Sequence, residues 1–291
     1  MVKAKKRTIK KKTLKKGMTK SLRWYDVSPI EGRLNEALLA HSSGKVKKLL
    51  KKLLKDKDMH LMQAYANNVS IRRLGFNDHG PVHMKIVAHN AIKILELLHD
   101  AGVKTSLEEE SVGTYEDSQV AVMLGALLHD VGMGVTRDKH EWHSLHQSDS
   151  LIQKYLEYLY PSDAPKRIAL RMLVHECIVG HMANDRIYSV EAGTLLVADG
   201  TDMAKGRSRI LEHMEKDSAI GDIHQYSASA IVRVNITKGR RKPVLIEVFM
   251  DNLAGTFQVE EVFMAKVKAS PIMNYLEISA VNGTKKMTYL H

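Results

Sequence analysis

Val120 to Gly132 reads VAVMLGALLHDVG, an apolar helix-like run closed by the adjacent pair His129-Asp130 and followed by glycine. Both polar side chains leave the end of that helix, where a loop marked by Gly132, Gly134 and Asp138 opens a cleft. Outward from the pair, His83 stands upstream and Asp199 downstream, each at the edge of another apolar run, giving the order H…HD…D. A neutral imidazole and a carboxylate are the side chains that hold divalent ions such as Mn, Fe, Ni or Zn. Ligands drawn from three separate helices meet only inside a folded bundle. The pattern therefore argues for a metal site rather than for polarity scattered over a surface.

The flanking sequence supplies the bundle. Gly80-Pro81 reads as a helix start, because proline suits the first turn, and Val87, Ala91, Ile94, Leu95 and Leu98 carry its apolar stripe to His99. His83 lies one turn before Val87 and shares the buried face. Asp78, just ahead, is expected to cap this helix. Val46 to Leu54 (VKKLLKKLL) places apolar residues at the spacing of one helix face, and a second helix is expected from Met59 to Leu74. Beyond the central run, Leu151 to Tyr160 is helical until Pro161, Pro165 opens a helix that runs to His181, and Glu191 to Ala204 forms one more.

After about Tyr226 the pattern changes. Ala230 to Ile236 and Val244 to Phe249 are rich in β-branched residues and flank the basic turn Lys238 to Pro243, which reads as a hairpin. A helix is expected from Ala254-Gly255 through Val267, then a strand from Ile272 to Ala280. The fold class expected is mostly α: a basic disordered tail over 1–22, a helical bundle over 23–225 and a small α+β (β-β-α-β) domain over 226–291.

The net charge of +11 misleads as an average. Residues 1–57 hold 19 Lys and Arg against four Asp and Glu, and the remaining residues hold 25 against 29, so the basic character belongs to the N-terminal extension. Its first 22 residues carry too little apolar surface to pack. The Lys3 to Lys20 tail could neutralise phosphates of a nucleic acid without reading sequence, since no aromatic platform interleaves with it. No apolar stretch approaches the roughly 18 to 20 residues that span a bilayer, and the N-terminus has no apolar core of a secretory signal. The lone Cys177 excludes a disulfide framework and a thiolate-rich zinc site, and suits a reducing cytoplasm. Membrane attachment is not expected; homo-oligomerisation is left open.

Together the segments NDHGPVHMKIV (Asn77 to Val87), LLHDVGM (Leu127 to Met133) and LLVADGTDM (Leu195 to Met203) resemble the HD-domain metal-dependent phosphohydrolase superfamily over roughly residues 75 to 210. The resemblance implies an HD-type helical bundle with His83, His129, Asp130 and Asp199 as metal ligands, and with Asp130 bridging if two ions bind. It implies that His129 and Asp130 are catalytic, and that one or two divalent ions (Mn, Fe, Ni, Co, Zn or Mg) act in each chain. Met133 stands where the cyclic-di-GMP branch carries lysine, and no GYP tripeptide occurs, which points away from that branch.

Two-metal members hold the second ion with further histidines. His181 continues the stripe Leu170, Val174, Cys177 and Ile178, whereas His175 lies about 120° round the helix, so His181 is preferred. Of His140, His143 and His146 one ligand is expected, and His143 is favoured from similarity to the His-rich segment that follows the HD loop. Lys205 and Arg207, just beyond Asp199, and Arg137, in the loop after the pair, are candidates to clamp a phosphate. The expected function is hydrolysis of a small phosphate ester by metal-activated water. The alternatives are a phosphodiesterase or nuclease recruited by the basic tail, and an HD ligand sensor without turnover.

Overall fold

A computed structural model of the chain describes residues 23–204, 227 and 229–291. The N-terminal tail and the segment 205–226, with Lys205, Arg207 and the expected domain boundary, lie outside these residues.

The described residues are mostly helical and end in a four-stranded mixed sheet. The bundle comprises α1 (Pro29–Ala40), α2 (Gly44–Leu53), α3 (Lys57–Arg72), α4 (Pro81–Asp100), the short α5 (Ser106–Glu109), α6 (Tyr115–Leu128), a 3-10 turn (Val131–Gly134), α7 (His140–Leu159), α8 (Ala164–Gly180) and α9 (Val190–Thr201). α6 is the axis of the bundle, packed by α2, α4, α8 and α9. Every residue from Val120 to Met133 is buried, as expected of a helix apolar on all sides. Its N-terminus is fixed by a capping box: Thr114 Oγ1 accepts from Asp117 N at 3.3 Å and Asp117 Oδ2 from Thr114 N at 3.0 Å. The same carboxylate takes Tyr160 Oη at 2.7 Å and lies 3.1 Å from Lys45 and Lys166. Thus α6 is tied to α2, α7 and α8 at the end opposite His129.

Asp78 stands two residues before the N-cap position of α4. The N-cap is Gly80, and Asp78 Oδ1 instead accepts from Gly80 N at 2.8 Å, closing the turn that feeds the helix. Asn67 explains the substitution: a Cβ at residue 80 would sit 2.4 Å from Asn67 Cβ, so α3 approaches too closely for a capping side chain there. α7 is longer than expected, beginning at His140 instead of Leu151.

The C-terminal part contains β1 (Ile231–Lys238), β2 (Val244–Met250), β3 (Leu276–Asn282) and β4 (Lys285–Leu290) in spatial order 1-2-3-4. β1/β2 and β3/β4 are antiparallel, and β2/β3 is parallel in the register Val244↔Leu276 to Met250↔Asn282. The parallel pair requires a crossover. It is α10 (Gly255–Phe257), a π-helical turn (Gln258–Phe263) and α11 (Met264–Ala269). Val244, Ile246, Val248 and Met250 alternate inward and join the same apolar core as the helices. The expected β-β-α-β unit is therefore β-β-α-β-β. β4 escapes a hydrophobicity reading because it is a lysine-led edge strand, entered through a turn at Gly283 with φ +57°.

Candidate metal centre

Four histidines converge at one end of the bundle. His83 comes from the first turn of α4, His129 from the end of α6, His140 from the start of α7 and His181 from the end of α8; all are buried. Their outer ring nitrogens are committed. His129 Nδ1 donates to Ala126 O (2.8 Å), His140 Nδ1 to Arg137 O (3.0 Å) and His181 Nδ1 to Ile178 O (2.6 Å). His83 Nδ1 lies 2.6 Å from Asp202 Oδ2. A carbonyl or carboxylate only accepts, so each Nδ1 is the donor in its contact and each Nε2 faces inward, where a neutral ring offers a lone pair.

Those inner nitrogens surround Asp130. Its Oδ2 lies 3.2 Å from His83 Nε2 and 3.4 Å from His129 Nε2; its Oδ1 lies 3.1 Å from His140 Nε2 and 3.4 Å from His181 Nε2. Asp199 Oδ1 completes the first side at 3.1 Å from His83 and 3.8 Å from His129. The imidazoles also face each other, His129 and His83 at 3.3 Å and His140 and His181 at 3.0 Å between Nε2 atoms. Grouped about the two oxygens of Asp130, the cluster divides into two half-sites, one with His83, His129 and Asp199 and one with His140 and His181, while His129, His181 and Asp199 form a further triad across them. Each contains a triad whose ligand atoms lie within 4.8 Å of one another. The donor set of imidazole and carboxylate without thiolate suits a divalent ion of the first transition row.

Electrostatics keep both carboxylates ionised. Burial alone would raise the Asp130 pKa, but the surrounding imidazoles, His129 first, hold it well below the usual carboxylate range. Asp199 is likewise held low against burial, chiefly by Lys266. Burial lowers His181 to about 4, with His129 and His140 reinforcing the shift, which leaves a neutral imidazole. Lys266 Nζ donates to Asp199 Oδ2 and, at 2.7 Å, to His181 O.

Of the residues singled out from the sequence, His83, His129, Asp130, Asp199 and His181 come together. His143 does not; His140 occupies the place expected for it. α7 begins at His140, directly after Lys139 in the left-handed conformation (φ +53°), and Gly132 lets that first turn press onto the HD loop. A Cβ at residue 132 would stand 2.1 Å from His140 O, and Gly132 N donates to Ser144 Oγ at 2.8 Å. His143 is half-buried outside the cluster and His146 is exposed. His175 is engaged elsewhere, with Nε2 2.8 Å from Asp149 Oδ1. The Arg137 guanidinium lies 5.4 Å from the Phe76 ring centroid, so what Arg137 gives the cluster is its carbonyl. Asp202 and Lys266 were not singled out. A carboxylate three residues beyond Asp199 was the available signal for Asp202, whereas Lys266 depends on tertiary docking.

Fold and site together define a class: a helical bundle with a buried His/Asp cluster able to bind metal, joined to a C-terminal α+β unit. The chain is 40% identical over 234 residues to the uncharacterized protein MJ1020 of Methanocaldococcus jannaschii, covering 80% of this chain and 88% of that protein. The chain belongs to the same family as MJ1020. No family model matches it. No solved structure matches it. No helix among the described residues is long and apolar enough to cross a membrane.

Proposed function

We propose that the protein is an HD-type metal-dependent phosphohydrolase, acting on a small or nucleotide-like phosphate ester with water as the nucleophile. The observation that carries the reading is the convergence of four imidazole Nε2 atoms on one buried carboxylate, with a second carboxylate beside them. His83, His129, Asp130 and Asp199 would hold one divalent ion, and Asp130, His140 and His181 a second. An ion held there supplies Lewis acidity, polarising phosphoryl oxygen and acidifying water. The chain's own task is to fix the ligands: main-chain carbonyls orient three rings and Asp202 the fourth, an arrangement of outer partners that sets ring tautomer and basicity. The buried thiol of Cys177, pushed up by burial, packs against Gly125 and supports no covalent alternative.

Elemental analysis of freshly purified chain beside Asp130→Ala tests this. The expected result is roughly two transition-metal ions per chain, lost in the variant, together with hydrolysis in a phosphoester panel. A wild-type chain that takes up no ion under any loading condition would overturn the proposal and promote the sensor reading.

A further inference from the structure

The α+β unit reaches into the metal centre with one side chain. α9 carries Gly193 and Gly200 two turns apart, and both face the crossover. A Cβ at Gly200 would lie 2.8 Å from Phe263 Cδ2 and 3.3 Å from Lys266 Cδ; one at Gly193 would lie 2.8 Å from Ser270 Oγ and Pro271 Cγ. Ser270 Oγ also donates to Gly193 O at 3.0 Å. This tight seam sets Lys266 of α11 against Asp199 of one half-site and the His181 carbonyl of the other.

Its side chain is the least buried of those that meet at the cluster. His83, His129, His140, His181 and Asp130 have side chains no more than 3% exposed; Asp199 is at 8% and Lys266 at 13%. Lys266 is thus the most exposed of these side chains, with Asp202 at 9% and Asp199 next. An ammonium serving only to neutralise Asp199 becomes redundant once a divalent ion binds that carboxylate. It also has three N–H groups, and Asp199 and His181 O engage two. The remaining donor and the positive charge, between two half-sites, match an oxyanion lying across both.

We propose that Lys266 is a substrate-binding residue, delivered by the α+β unit, whose ammonium takes a phosphoryl oxygen of the ester held at the metal centre. This deepens the phosphohydrolase reading and rests on it. Inorganic phosphate represents a terminal phosphoryl group and dimethyl phosphate an internucleotide one; whichever ligand loses affinity in the variant identifies the source.

The test is titration calorimetry of both probes into the manganese-loaded full chain, comparing wild type, Lys266→Met and Lys266→Arg, with manganese content measured on each sample. Lys266→Met should bind one probe roughly tenfold or more weakly while keeping its manganese, and Lys266→Arg should bind it within a few fold of wild type. Equal affinity of both probes for Lys266→Met and wild type overturns the role. So does loss of manganese from Lys266→Met with probe affinity per bound ion unchanged, which would make Lys266 a strut for Asp199. Should Lys266→Met fail to fold, Lys266→Arg decides: the wild-type fold with probe binding lost overturns a role that needs only a cation. Absence of manganese from wild type removes the metal-centre reading itself, and the Lys266 role falls with it.

Discussion

Replacing Gly132 by alanine should dismantle one half-site and leave the other standing. The new Cβ would lie 2.1 Å from the His140 carbonyl oxygen and 2.5 Å from the Ser144 amide nitrogen. Both are main-chain atoms at the start of α7, so no rotamer change relieves the contact. α7 has to recede by about 1.5 Å to reach ordinary van der Waals separation. His140 is its first residue, with Nε2 3.1 Å from Asp130 Oδ1. Metal ligation tolerates displacements of only about 0.2 Å, so the shift is several times too large. Affinity at the His140–His181 half-site should fall by at least about a hundredfold, the upper end of losses seen when merely outer partners are removed. Overpacking of this kind costs roughly 1–3 kcal/mol, which leaves the protein folded with a lower Tm. His83 and Asp199 sit on α4 and α9, away from the moved helix, and their half-site should keep its ion. After dialysis in metal-limited buffer, metal content should drop from about two ions to about one, and added manganese should raise Tm less than in wild type. Wild-type Tm together with full metal content in Gly132→Ala would refute the claim that this contact locks His140 in place.

Asp202→Asn should weaken metal binding by roughly 10- to 100-fold with the fold intact, because His83 loses the carboxylate at its Nδ1; a chelator competition that gives unchanged affinity would contradict this. Asp56 caps α3 and takes Lys154 Nζ and Tyr155 Oη, each at 2.6 Å, and against the opposing effect of burial these partners lower its pKa from 3.8 to about 2. A depressed folded-state pKa stabilises above the unfolded value and the benefit vanishes as pH falls through the folded value. Asp56→Asn should therefore cost up to about 2 kcal/mol at pH 7, and its deficit in urea midpoint should shrink between about pH 4 and pH 2; a deficit independent of pH would refute the linkage. Removing residues 1–22 should leave turnover of a small ester unchanged while weakening oligonucleotide binding and flattening its salt dependence; identical binding curves would exclude the tail as a docking element.

The elements legible in the sequence are those whose cause is local. The apolar run ending in His129-Asp130 and the proline that starts α4 at His83 are properties of a few consecutive residues. So is the stripe that carries His181 inward. His140 was not legible over His143, since the spacing of His140, His143 and His146 is compatible with either. What decides is a left-handed residue at Lys139 and a contact between Gly132 and main chain eight residues later. Lys266 is further out of reach, because its position depends on how the crossover docks on α9. The available hint was the pair Gly193 and Gly200 on one face of a helix, where glycine lowers helix stability and therefore needs a reason. β4 was missed although Asn282-Gly283 is a turn signal, because its first residues, Lys285 and Lys286, look like solvent-exposed chain.

The distribution of the cluster over the chain makes metal and fold interdependent in the proposed reading. The groups that meet at Asp130 arrive on α4, α6, α7, α8 and α9, with α11 adding Lys266. Without an ion, the native state brings four imidazole edges and two buried carboxylates together, groups that stay apart and hydrated in the unfolded chain. Lys266 offsets part of this for Asp199 alone. An ion bound only by the native state stabilises it by about 4 kcal/mol at a thousandfold excess over Kd, comparable to a substantial share of the stability of an ordinary domain. The benefit falls on one end of the bundle. At the other end of α6, Asp117 already binds α2, α7 and α8 through Lys45, Tyr160 and Lys166 without needing any ligand. The bundle is thus self-sufficient at the Asp117 end and conditional at the His129 end, where the chemistry is proposed to occur and where the α+β unit is attached.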